Sequence, residues 1–195
     1  MRVDHGERVR ILHVRCSQRL DCELEQDHGL MTEHRHIRVL AIASPGGHWV
    51  QLRRLRPAWA GCDVAYATSN GGYRDEIAAD PASSDCPAPR FHAFPEASRW
   101  DKFKLIVQLA SVLTIILKER PDVVVSTGAS AGYFALRIAK LLRKRTIWVD
   151  SIANAGELSL AGEMAGPHAD LWLTQWESLA AHPGSPGPVF RGQVL

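Results

Sequence analysis

The sequence predicts a single α/β domain with a mostly parallel sheet flanked by helices. Three observations predict it. From Ile37 onward, short apolar runs of strand type alternate with segments of helical periodicity, the pattern of consecutive βαβ units. Runs such as Val39-Leu40-Ala41-Ile42 and Val123-Val124-Val125 are continuously apolar, as strands covered on both faces are. The length of 195 residues fills one ordinary domain and falls short of two.

Residues 1–36 stand apart. They hold five of the nine histidines (His5, His13, His28, His34, His36) and no pattern that builds a core face. They are expected to form a disordered, dispensable leader, with Met31 as an alternative start, and the domain to occupy 37–195. Cys16, Cys22, His28 and His34 match no common zinc spacing, so no metal is expected. Cys62 and Cys86 complete the cysteines, and without a CxxC all four read as thiols of a reducing compartment. The leader lacks the apolar segment of a signal peptide. The chain lacks the run of about 18 apolar residues that a spanning helix needs. The expected location is the cytoplasm or a membrane surface facing it.

Taken in order, Ile37 to Ala43 is a strand that Ser44-Pro45-Gly46-Gly47 breaks. Residues 48–59 read as a helix with Trp49, Leu52, Leu55 and Trp59 on one face. Residues 63–68 form a strand ended by Asn70-Gly71-Gly72, and 80–90, with three prolines, a loop. Phe91 to Phe94 is a short strand. Residues 101–119 form a helix with Lys104, Gln108, Ser111 and Lys118 on its polar side. Leu105, Ile106, Leu109, Val112, Leu113 and Ile116 make an apolar face expected to pack mostly on the sheet. Pro121 stops it. A strand at 122–127 leads through Gly128-Ala129-Ser130-Ala131-Gly132 into a helix at 133–143. Strands at 145–150 and 171–175 flank a short helix at 159–165. Residues 183–188 read as a Pro/Gly linker to an apolar tail.

Composition narrows the function. Hydrophobic residues are 46% and charged ones 23%, with a net charge of +2. That is a soluble globular mixture and excludes collagen-like, coiled-coil and wholly disordered chains. It also lacks the basic excess of a nucleic-acid binder.

In parallel α/β sheets the ligand sits at the carboxyl ends of the strands, so those loops carry the functional reading. Ser44-Pro45-Gly46-Gly47-His48 offers close backbone approach and a helix start with free N–H groups, a cradle for a diphosphate or sugar. A plain tight turn is the alternative. His48 on that first turn is placed to act as a base, although a lone surface histidine often only hydrogen-bonds. Gly128 and Ser130 mark a second such loop, where Ser130 is alternatively an N-cap. Asp150 and Glu157 bring carboxylates to a third, where Asp150 alternatively caps a turn. No GxGxxG, GxxxxGK[ST] or acidic ribose contact occurs, which argues against a dinucleotide or P-loop site.

Ser44-Pro45-Gly46-Gly47-His48 with Gln51-Leu52, Ser126-Thr127-Gly128-Ala129, and Val149-Asp150-Ser151-Ile152 resemble motifs of one family. So do Leu158-Ser159-Leu160-Ala161-Gly162, Ala169-Asp170 and Thr174-Gln175-Trp176. The family is the Alg-type oligosaccharide biosynthesis subunits, including the PssD-type exopolysaccharide proteins, and the resemblance covers 37–195. It implies a Rossmann-like domain, half of a GT-B fold, similar to the acceptor lobe of MurG-like transferases. It implies a subunit that works with a separate donor-binding subunit. The pair would move a sugar from a UDP-sugar to a lipid-diphosphate-linked acceptor at the cytoplasmic membrane face, without a cofactor. By motif match His48, Glu157 and Asp150 are the catalytic candidates. Ser44, Gly46, Gly47, Gly128 and Ser130 would hold the acceptor or its diphosphate. Asp150 stands where many relatives carry Glu, which shortens the reach of that carboxylate. The leader also supplies no membrane anchor of the kind eukaryotic members carry.

Arg99, Trp100, Lys102 and Lys104 mix aromatic and basic residues as an anionic membrane interface requires. A non-catalytic scaffold that recruits the donor subunit and a free-standing nucleotide-binding enzyme are the rival readings.

Overall fold

A computed structural model describes residues 35–80, 86–98, 100–182 and 184–194. Residues 1–34, with the Cys16/Cys22/His28/His34 group, and Arg99 lie outside the described residues.

The elements are β1 (Arg38–Ile42), α1 (Gly47–Arg54), β2 (Asp63–Thr68), α2 (Arg74–Ala78), β3 (Arg90–Ala93) and α3 (Lys102–Glu119). They continue with β4 (Val123–Ser126), α4 (Ala129–Leu141), β5 (Arg145–Val149), α5 (Leu160–Ala165), β6 (Leu171–Thr174) and β7 (Val189–Phe190). The seven strands lie in the order β3-β2-β1-β4-β5-β6-β7. Every pair is parallel. Side chains alternate across the strands. Leu40, Ile42 and Val124 face α3 and α4, while Val39, Ala41 and Tyr66 face Trp49, Leu52 and Ile77.

Several elements depart from the sequence reading. The helix expected over 48–59 ends as α1 at Arg54 and continues as a 3-10 turn, Arg56–Trp59. Pro57 has no N–H to give to the carbonyl of Arg53, so the α-ladder stops there. α4 begins at Ala129, four residues before the expected start, because Gly128 at φ 148 turns the chain directly into it. The tail does not hang free. Val189 and Phe190 extend the sheet beside Leu173 and Thr174. Arg35, next to β1, bonds Asp122 through its guanidinium at 2.6 Å.

α3 is turned differently from its expected packing. Val112, Ile115 and Ile116 are buried, yet Phe103 is 74%, Ile106 64% and Leu117 53% exposed. Two polar residues set the rotation. Gln108, 3% exposed, donates to the carbonyl of Pro95 and accepts from the Ser130 hydroxyl. Glu119 takes Arg90 at 2.7 Å and His92 at 2.6 Å. Partnered polar groups go inward, and an apolar ridge of 103, 106, 110, 113 and 117 is left outside.

Burial pushes the Glu119 carboxyl up, but Arg90 and His92 outweigh it and hold it below its ordinary value. A carboxyl depressed by folding stabilises the fold above its unfolded value of about 4.3 and loses that contribution as pH falls through the folded value. Asp122 and Asp170 are lowered in the same sense: burial opposes, while bonds from Arg38 and Arg35, and from Lys140 and Thr146, prevail. The melting temperature is therefore expected to fall below about pH 4. Glu119→Gln should shrink that acid dependence while costing stability at pH 7. Thermal melts from pH 2.5 to 7 check this; an unchanged acid slope in the variant would refute it.

Candidate active site

β1 and β4 are neighbours in the sheet, so their carboxyl-end loops meet. After β1 the chain turns at Gly46, where φ is 80 and ψ −137, a conformation side-chain-bearing residues avoid. The Gly46 N–H donates to the Tyr73 hydroxyl at 3.4 Å. Gly46 and Gly47 are exposed, and a Cβ on either would meet nothing within 4 Å. The backbone thus offers open space at the start of α1. Ser44 is half-buried at the edge of this loop.

His48 sits one residue into α1, and its ring rests on Gly128. A Cβ on Gly128 would lie 2.4 Å from Cε1 and 2.5 Å from Nδ1 of the imidazole. The Thr127 hydroxyl donates to the His48 carbonyl at 2.7 Å and ties the two loops together. Nδ1 is buried and makes no hydrogen bond. Packing on Gly128, rather than a carboxylate partner, orients the ring. Gly128→Ala forces a Cβ into that ring and an L residue into a glycine backbone. About 2 kcal/mol or more of folding stability should be lost. Urea denaturation measures it, and a loss within about 0.5 kcal/mol of zero would contradict this seating.

The other candidates separate. Ser130 is not the N-cap of α4; Gly128 holds that place. The Ser130 hydroxyl donates to Gln108 at 2.9 Å, so it is turned toward α3. Asp150 is 1% exposed. Its carboxylate accepts from the Ser159 N–H at 3.0 Å, the Ser159 hydroxyl, and the Trp148 indole at 3.4 Å. This corrects its reading as a cleft-facing carboxylate: it fastens the start of α5, close to the turn-capping alternative. Glu157 is exposed on the loop from β5 to α5. The structure therefore joins His48, Gly46, Gly47 and Gly128 in one place, while the Asp150 carboxylate is taken by Ser159.

Three residues at this end escaped the sequence reading as functional groups. Thr127 links the loops, and Gln51 and Gln175 are buried at 4% and 1% exposure. A lone amide between Trp49 and Leu52 on an apolar helix face was the available signal for Gln51. Along the flank of α1, a groove of about 520 Å³ is bounded by Trp49, Val50, Arg53, Arg54, Tyr73 and Glu76. Tyr73 stacks on Trp49 with centroids 4.9 Å apart. Among the described residues no group of His, Cys, Asp and Glu could hold a metal ion. No described helix is long and apolar enough to cross a membrane.

The family described as "Oligosaccharide biosynthesis protein Alg14 like" matches residues 95–185. The UDP-N-acetylglucosamine transferase subunit ALG14 of Eremothecium gossypii is 27% identical over 165 residues, 73% of this chain and 74% of that protein. The Yarrowia lipolytica protein of the same name is 34% identical over 80 residues, 38% of this chain and 37% of its own length. In fold, the chain is similar to Acinetobacter baumannii MurG, with a TM-score of 0.60 at 14% identity, covering 79% of this chain. It spans 45% of the length of MurG. A putative UDP-N-acetylglucosamine 2-epimerase from Listeria monocytogenes is similar at a TM-score of 0.52 and 14% identity, over 72% of this chain and 39% of its own.

Proposed function

We infer from this kinship, an Alg-type oligosaccharide biosynthesis subunit with a fold similar to one half of a GT-B transferase, that the chain is the acceptor-binding subunit of a two-component glycosyltransferase. The pair moves a sugar, of the N-acetylglucosamine type, from a UDP-sugar to a lipid-diphosphate-linked acceptor. The observation that carries the reading is the seating of His48 on Gly128, which joins two glycine loops at neighbouring strand ends.

The chemistry follows from that arrangement. The start of α1, where Gly46 and Gly47 leave open space, and the start of α4 beyond Gly128 turn their partial positive charge toward a diphosphate. Ser44 adds a hydroxyl at the rim. His48 takes the proton of the attacking acceptor hydroxyl as the sugar leaves its diphosphate, with inversion. Glu157 on the neighbouring loop is the carboxylate in reach of a bound sugar. Sugar transfer from UDP-N-acetylglucosamine to a lipid-diphosphate acceptor, by this chain with a donor-binding subunit, is the direct test.

The same subunit lies on the cytoplasmic membrane face. Support comes from the outward ridge of α3, with Trp100 82% exposed at its foot and Lys102, Lys104 and Lys118 on the helix flanks. An apolar ridge bordered by lysines fits an anionic lipid interface. The ridge runs well beyond the first turn that the sequence pointed to. Co-sedimentation with anionic vesicles is expected and should weaken as salt screens the lysines. Changing Arg99, Trp100, Lys102 and Lys104 to Ser should reduce it, and adding Ile106→Ser and Leu113→Ser should abolish it. Full binding by the six-residue variant would remove the membrane role from α3.

A further inference from the structure

We propose that Gln51 and Gln175 are positioning residues that lock the loop between β5 and α5 onto the helix carrying His48. The proposal rests on the transferase reading above for its consequence, and on geometry for the lock itself.

The two amides converge on one acceptor. Gln51 Nε2 donates to the Asp150 carbonyl at 3.1 Å and Gln175 Nε2 to the same oxygen at 2.9 Å. Each amide also accepts. Gln51 Oε1 takes the Ile152 N–H at 3.4 Å, and Gln175 Oε1 takes the Val194 N–H at 2.8 Å. Trp176 Nε1 then donates to the Ile152 carbonyl at 2.8 Å. The first residues of the loop are thus held from α1 on one side and from the segment after β6 on the other. At the far end the Asp150 carboxylate grips Ser159. Between these anchors the loop carries Glu157.

The sequence places matter. Gln51 lies three residues after His48, about one helical turn away, so it couples the loop to the element that sets the imidazole. Both amides are almost wholly buried. A buried amide is costly unless its donors and acceptors are used, and a residue needed only for packing is better apolar. Catalysis is sensitive to small misplacements of bound groups. A loop freed at Asp150–Ile152 would leave its outer residues, Glu157 included, free to wander while the sheet stays folded.

Gln51→Met and Gln175→Met keep side-chain volume and remove these hydrogen bonds. Hydrogen exchange on the full chain should show faster exchange at 151–158 in either variant, with the β1 and β4 amides unchanged. In the assembled transferase, kcat should fall by about tenfold or more with the KM for UDP-N-acetylglucosamine unchanged, the sign of lost orientation rather than lost donor binding. Because the amides share one acceptor, the double variant should lose less than the product of the single losses. Unchanged exchange at 151–158 would overturn the lock. Faster exchange with unaltered kcat would overturn its positioning role while leaving the transferase reading intact. A wild-type pair that transfers no sugar would count against the transferase reading instead, and the exchange result alone would then decide the lock.

Discussion

His48→Ala is expected to lower the turnover of the assembled transferase by about a hundredfold or more, the usual contribution of a general base. The argument starts from the backbone. Gly46 and Gly47 leave the first turn of α1 open, and His48 stands on that turn with its ring against Gly128. Its main chain is held from β4 by the Thr127 hydroxyl. The imidazole is therefore fixed at the meeting point of two helix starts, where a diphosphate would lie and where an acceptor hydroxyl must lose its proton. The fold should tolerate the change, because the ring makes no hydrogen bond at Nδ1 whose loss would orphan a partner. His48→Gln, which keeps a donor but no base, should be nearly as poor as the alanine variant. Steady-state kinetics on variants of matched melting temperature and intact assembly make the comparison. Near-normal turnover of His48→Ala would remove it from the mechanism, and strong rescue by Gln would recast it as a hydrogen-bond donor. Inactivity of His48→Ala with assembly intact would also set aside a purely scaffolding role.

The strands were legible because they are short apolar runs bounded by Gly, Pro and Asp, a signal that needs no tertiary information. Their parallel pairing followed from the helices between them. The glycine loops were legible for a related reason: Gly46, Gly47 and Gly128 stand at strand ends, where a parallel sheet presents its ligand site. What escaped depended on partners remote in sequence. The outward ridge of α3 could not be read from its periodicity, because apolar residues surround much of that helix. Its rotation is decided by Pro95, Arg90 and His92, which bind Gln108 and Glu119. Asp150 looked like a cleft carboxylate because it ends a strand, but Ser159 and Trp148 claim it. Gln51 and Gln175 looked like ordinary polar residues until Asp150 was placed between them.

The chain without a second subunit is expected to transfer no sugar. A GT-B site is a cleft between two lobes, and the described residues form one seven-stranded sheet, similar in fold to 45% of the length of MurG. Among the described residues, the ground in front of Gly46 and Gly47 is open, with the joined loops after β1 and β4 as its wall. A nucleotide-sugar needs a second wall to bury its base and orient its reacting carbon. Calorimetry should accordingly show little affinity of this chain for UDP-N-acetylglucosamine. The decisive measurement is the transfer of labelled N-acetylglucosamine to a lipid-diphosphate acceptor in vesicles, by this chain alone, by a donor-binding subunit alone, and by the two mixed. Label in the lipid fraction only from the mixture is the predicted result; label transferred by this chain alone would contradict it.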